Sequence, residues 1–156
     1  MAQKSPAKTK GALPIYVLNG PNLNLLGSRE PEVYGRATLA EIGKAVGARA
    51  KTHGLSVTFR HSNHEGVLID WLQEARTKAS GVILNAAGLS HTSVSLLDAC
   101  RMLDKPLIEV HLSNPYKREP YRRRSYISEA ASVVICGLGA TGYLLAVDAL
   151  AGLLKD

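Results

Sequence analysis

IYVLNGPN, residues 15–22, is a short apolar run cut off by turn-forming residues. The same pattern returns in GVILNAAG (81–88) and LIEVHLSN (107–114). Apolar runs of this length with no polar alternation are the mark of strands covered on both faces, as in a parallel sheet. Helical spacing fills the gaps. Thr38 and Glu41 form a T-x-x-E capping box that opens a helix running to about His53. Leu55 to Arg60 reads as a second strand. Gly66 to about Lys78 reads as a helix, with Val67, Ile69, Trp71, Leu72 and Ala75 on its apolar side. Thr92 or Ser93 can cap a helix to about Leu103. Pro106 precedes the fourth strand, SVVIC (132–136) is a fifth, and Ala140 to Leu154 is a closing helix.

Strand and helix alternate five times, which predicts an α/β domain with a parallel sheet and helices on both faces. Five strands suit the flavodoxin-like order 2-1-3-4-5, with right-handed connections. The 156 residues fit one domain, long enough to bury a core without metal or disulfide staples. Residues 1–13 are polar and lysine-rich and read as a disordered basic extension, leaving 14–156 as the single folded domain. Cys100 and Cys136 each lie in an apolar stretch outside any CxxC pair and are expected to be buried free thiols, which suits a reducing, cytoplasmic setting. No run of 18 apolar residues is present to span a membrane, and no apolar h-region of a secretory signal follows the N-terminus.

The net charge of +6 is unevenly spread. Lys4, Lys8 and Lys10 carry three charges. Lys117, Arg118, Arg122, Arg123 and Arg124 against Glu119 give +4, so the remainder is −1. Any anion-binding role therefore rests on the 117–124 segment.

In a sheet of this order, ligands bind beyond the carboxyl ends of the strands, where the strand order reverses between strands 1 and 3. Asn19, Asn22 and Asn24 follow strand 1. Asn85, Gly88, Ser90 and His91 follow strand 3, and Glu109, His111, Ser113 and Asn114 end strand 4. Asparagine, glycine and serine are ordinary turn formers, but two histidines at matching strand ends are not explained that way. Glu109 and His111 are two apart on a strand and share a face. A carboxylate bonded to the imidazole fixes its tautomer and raises its proton affinity, as a general acid requires.

Residues 20–37 form an unusually long connection, of the kind that often serves as a lid, and carry Arg29, Glu30, Tyr34 and Arg36. A phenol has a reference pKa of ~10, and bringing one to ~7 takes about 4 kcal/mol, within reach of one or two close arginines in a dry site. The segment PYKREPYRRRSY (115–126) follows strand 4, so its arginines can reach the same edge and grip a carboxylate. Gly137-Leu138-Gly139-Ala140-Thr141-Gly142 matches the G-x-G-x-x-G dinucleotide fingerprint. That fingerprint needs a further strand and an acidic residue ~20 positions on, and only 14 residues follow Gly142. His61, His64 and Glu65 lack a third metal ligand and read as a solvated helix start, so no metal is expected.

LNGPNLNLLGSREPEVYG (18–35), ILNAAGLSHTSVSLLDA (83–99), LIEVHLSNPYKREPYRRRSY (107–126) and VICGLGATGYLLA (134–146) together resemble the successive motifs of type II 3-dehydroquinate dehydratases. The resemblance implies a cofactor-free lyase with a flavodoxin-like fold, acting in the shikimate pathway or in quinate catabolism. It implies an anti elimination of water from 3-dehydroquinate through an enolate, giving 3-dehydroshikimate. It places the base on Tyr34, the acid on His111, the lid arginine on Arg29, the enolate-holding group on Asn22 and the orienter of the acid on Glu109. Asn85, His91, Leu112, Ser113 and Arg122 match substrate-binding positions, with Arg122 on the carboxylate. Ala87 stands where many members have glycine. The family assembles as trimers that form dodecamers, and Asp98, seven residues beyond His91, matches a residue supplied by a neighbouring subunit. Neither membrane nor nucleic acid is implied as a partner. Two other classes fit parts of the chain: a nucleotide-binding module using the GLGATG turn, and a nucleic-acid binder using the cationic segment with Tyr116, Tyr121 and Tyr126.

Overall fold

The structure is a computed structural model that describes residues 12–156. The expected disorder of residues 1–13 therefore lies almost wholly outside the described residues. In chain order the elements are β1 (Ile15–Asn19), α1 (Pro31–Tyr34), α2 (Leu39–Thr52), β2 (Val57–His61), α3 (Glu65–Lys78), β3 (Gly81–Asn85), α4 (Val94–Arg101), β4 (Leu107–His111), β5 (Val133–Cys136) and α5 (Thr141–Leu153). All strand pairs are parallel and the order is β2-β1-β3-β4-β5, as expected from the alternation.

Alternate strand residues feed two cores, one on each face of the sheet. Ile15, Val17, Ile83, Ile108 and Val110 pack under α2 and α5. Tyr16, Leu18, Val82, Leu84 and Leu107 pack under α3 and α4. The three central strands are buried along their whole length, which is why IYVLN and GVILN read as near-unbroken apolar runs, while β4 departs from that pattern only at Glu109 and His111. The Thr38–Glu41 capping box is formed in both directions, at 3.2 and 3.1 Å. Of the two candidate caps for α4, Ser93 takes the role, accepting from the Leu96 N–H at 2.9 Å.

Two expectations need correction. Strand β2 begins at Val57, because the Leu55 N–H bonds back to the Ala50 carbonyl and finishes the preceding helix. Cys100 is buried, but Cys136 is only half-buried, since β5 is an edge strand. Within the long 20–37 connection lie a 3-10 turn at Leu23–Leu25 and the short α1, and Leu23 and Leu26 pin it to the α2/α5 core. Among the described residues, no helix is long and apolar enough to cross a membrane.

Candidate active site

Strands β1, β3 and β4 end together, and the 20–37 connection folds over them to enclose a cavity of about 150 Å³. That is below the 300–1,000 Å³ of sites for drug-sized ligands, so it suits one small ring. Asn22, Arg29, Tyr34, Asn85, His91, His111, Leu112, Ser113 and Arg122 all line it, and so does Arg118. Glu109 lies behind His111. Asp98 does not line it and is exposed on α4.

Glu109 is fully buried on β4, on the α3/α4 side of the sheet. A buried carboxylate is unfavourable unless its oxygens are bonded. Here His111 Nε2 donates to Oε1 at 2.6 Å, and the Ser125 and Ser128 hydroxyls donate to Oε1 and Oε2. Burial pushes the Glu109 carboxyl up, but these bonds together with the histidine's charge outweigh it and hold the group below its usual range. Because Nε2 is committed to Glu109, Nδ1 is the His111 nitrogen left to exchange a proton. The His91 ring stacks near it, with centroids 6.3 Å apart, and its Nδ1 donates to the Arg124 carbonyl at 2.7 Å. His91 ends a 3-10 turn (Ala87–His91) and so precedes α4 rather than sharing it with Asp98.

Tyr34 ends α1 and is half-buried. Two guanidinium groups flank its ring, Arg29 at 5.3 Å and Arg118 at 5.1 Å from the centroid. Only Arg118 bonds the phenol oxygen, Nη1 to OH at 2.8 Å. Arg29 is more exposed and shares its charge with Glu30 at 3.7 Å. Arg118 is the residue that reading the sequence missed: it stood among five cations of one segment, with nothing to single it out. The 3-10 turns at Pro115–Lys117 and Pro120–Arg122 turn Arg118 and Arg122 inward, where Glu119 bridges them at 3.6 and 3.0 Å.

The remaining groups are set by backbone geometry. Gly20 passes so close to β3 that a Cβ there would lie 2.6 Å from the Ala86 carbonyl oxygen, and its N–H bonds the Asn85 carbonyl. The Gly137 and Gly139 N–H groups, at positive φ, bond the Ser113 and Leu112 carbonyls at 3.0 Å each. The GLGATG turn thus holds the 112–113 segment at the cavity wall and is not built to receive a pyrophosphate. Ala87 adopts φ 51°, the left-handed region in which glycine is unstrained. Cys100 is pushed up to about 12 by burial and by the charge of Glu109, so its thiol keeps its proton. Among the described residues no group of three or more His, Cys, Asp or Glu is placed to hold a metal.

A doubly wound α/β protein whose strand-end cavity gathers a guanidinium-bonded tyrosine and a histidine backed by a buried carboxylate is the class these features define. Residues 13–151 match the family Dehydroquinase class II, and the chain belongs to that family. It is 58% identical over 140 residues to the 3-dehydroquinate dehydratase of Caulobacter sp. (strain K31), covering 90% of this chain and 95% of that protein. It is 57% identical over 137 residues to 3-dehydroquinate dehydratase 1 of Corynebacterium efficiens, covering 88% and 91%. The crystal structure of type II dehydroquinase from Propionibacterium acnes superposes with a TM-score of 0.87 at 38% identity, covering 90% of this chain and 97% of that one.

Proposed function

We propose that this protein converts 3-dehydroquinate into 3-dehydroshikimate by anti elimination of water, serving the shikimate pathway or quinate catabolism. The observation that carries the reading is the pairing, in one cavity, of a tyrosine bonded by a guanidinium with a histidine backed by a buried carboxylate. Tyr34 as phenolate removes the proton alpha to the ketone. Arg118, bonded to its oxygen, and Arg29 beside its ring set positive charge around it. Asn22, on the strained turn after β1 at φ 70°, helps hold the enolate. His111 then gives its proton to the departing hydroxyl, with Glu109 stabilising the imidazolium. Arg122 and Ser113 meet the substrate's carboxylate and hydroxyl groups, with Leu112, Asn85 and His91 completing the wall. Every proton moves between side chains and substrate, so the reaction runs without cofactor or metal. The test is to add 3-dehydroquinate to protein dialysed against a chelator and follow enone absorbance. A steady rise is expected; a flat trace, or one that needs added metal, overturns the reading.

Arg118→Ala should reduce turnover more than Arg29→Ala does, because only Arg118 bonds the phenol oxygen. A loss of about tenfold or more is expected for Arg118→Ala, the effect of one charge-assisted hydrogen bond of 1.5–3 kcal/mol. Parallel steady-state assays of the two variants check the ranking, and the reverse order would place the essential positive charge on the lid.

Residues 14–156 act as one catalytic domain in the cytoplasm, in a homo-oligomer of trimers assembled into a dodecamer. Exposed Asp98 on α4 is offered to a neighbour's cavity, where its carboxylate can accept from Arg122 or His91. Mixing inactive Tyr34→Phe with inactive Asp98→Ala protein, after dissociation and reassembly, should restore part of the activity. Mixed oligomers that stay inactive, or a fully active monomer, refute the shared site.

A further inference from the structure

Tyr143 follows the GLGATG turn directly, and proton transfer gives it no role. Its ring is fully buried in the core on the α2/α5 face, yet it carries a hydroxyl there. That hydroxyl donates to Asn19 Oδ1 at 2.7 Å and accepts from Asn85 Nδ2 at 2.9 Å. Asn19 and Asn85 are register partners at the last positions of β1 and β3, side by side at the point where the strand order reverses.

The direction of this chain of bonds is dictated by backbone groups at both ends. Asn19 Nδ2 donates to the Arg60 carbonyl at 2.9 Å, and a carbonyl can only accept. Asn19 therefore turns its oxygen to Tyr143, and the tyrosine must donate. Asn85 Oδ1 accepts from the Ala87 N–H at 3.1 Å, which can only donate. Asn85 therefore turns its NH₂ to Tyr143. Burial pushes the Tyr143 phenol well above its usual range, so the proton this relay needs stays in place. Asn85 itself lines the cavity, and its second N–H has no protein partner among the described residues.

We propose that Tyr143 is a positioning residue: with Asn19 it locks the Asn85 amide so that an N–H, and not the carbonyl oxygen, serves the substrate. The bound substrate's carboxylate and ketone oxygens can only accept, and a donor held in one orientation meets such an oxygen without a search. Without the hydroxyl, the amide is fixed from one side only and also samples the reversed orientation, which sets oxygen against oxygen. The inference rests on Asn85 being a substrate contact.

Tyr143→Phe keeps the ring and removes the hydroxyl. Its kcat/KM for 3-dehydroquinate should fall about tenfold, mainly through KM, the signature of a contact made equally in ground and transition states. The shape of the kcat–pH profile should be unchanged. Asn85→Ala should show its own loss, and adding Tyr143→Phe to it should cost nothing further, because the tyrosine acts through that amide. If Tyr143→Phe does not accumulate as folded protein, Asn19→Ala carries the same two expectations. Wild-type kcat/KM in the single variant overturns the inference, and so does a loss that persists undiminished in the Asn85→Ala background, which marks a packing effect. Asn85→Ala with wild-type KM overturns it while leaving Tyr34 and His111 untouched. Wild-type protein inert toward 3-dehydroquinate is a different failure, that of the functional reading as a whole.

Discussion

Tyr34→Phe is expected to lower kcat by at least ~100-fold, the lower range of general acid–base catalysis. The ring packs against the α2/α5 core and flanks two guanidinium groups, and all of those contacts survive in phenylalanine. What is lost is the oxygen that accepts from Arg118 at 2.8 Å. Arg118 keeps Glu119 at 3.6 Å and Ser113 at 3.5 Å, so its charge is not stranded. The loss should therefore appear in kcat and leave the melting temperature close to wild type. Turnover measured beside a thermal melt decides it: near-normal kcat removes Tyr34 from the mechanism, and a collapsed melt would mean that the hydroxyl holds the fold.

Glu109→Gln should lower kcat by ~100-fold as well, because an acid catalyst of this kind is worth 10²–10⁴-fold and depends on its partner. The amide keeps the shape of the carboxylate but not the charge that faces His111 Nε2. A second effect reads out on stability. Burial acts to raise the Glu109 carboxyl, and the bonds from His111, Ser125 and Ser128 bring it below the ordinary 4.5. A group whose folded value is depressed contributes stability in full above its unfolded value, and loses it as pH falls through the folded value. Wild-type melting temperature should therefore drop below about pH 4.5, and the drop should be shallower in Glu109→Gln. Identical acid limbs in the two proteins would show that the carboxylate adds no such linkage; unchanged kcat would show that His111 works without it.

The fold was legible because the central strands are covered on both faces, which leaves an unbroken apolar signature in IYVLN and GVILN. The start of β2 is not legible, because an edge strand is only half-covered and Leu55 looks the same whether it closes a helix or opens a strand. The half-exposure of Cys136 is illegible for a similar reason: apolar neighbours do not say which strand lies at the rim. Most of the candidate site was legible because regular elements carry it, as with the two-residue spacing of Glu109 and His111. Arg118 was not, because irregular turns choose which of several arginines faces inward, and no periodicity records that choice. Tyr143 was hidden for the opposite reason. On an apolar helix it looks like one more core residue, and its role lies in a hydroxyl that only tertiary contact reveals.

The sheet is a bulkhead between two independent foundations. His111 and Glu109 are rooted in the α3/α4 compartment, whereas Asn19, Asn85 and Tyr143 are rooted in the α2/α5 compartment. Only the strand ends bring them together. Repacking one compartment can therefore loosen the His111–Glu109 pair while the Asn85 amide stays firm, or the reverse. A library that varies the two compartments separately would tune turnover and affinity as two nearly uncoupled dials.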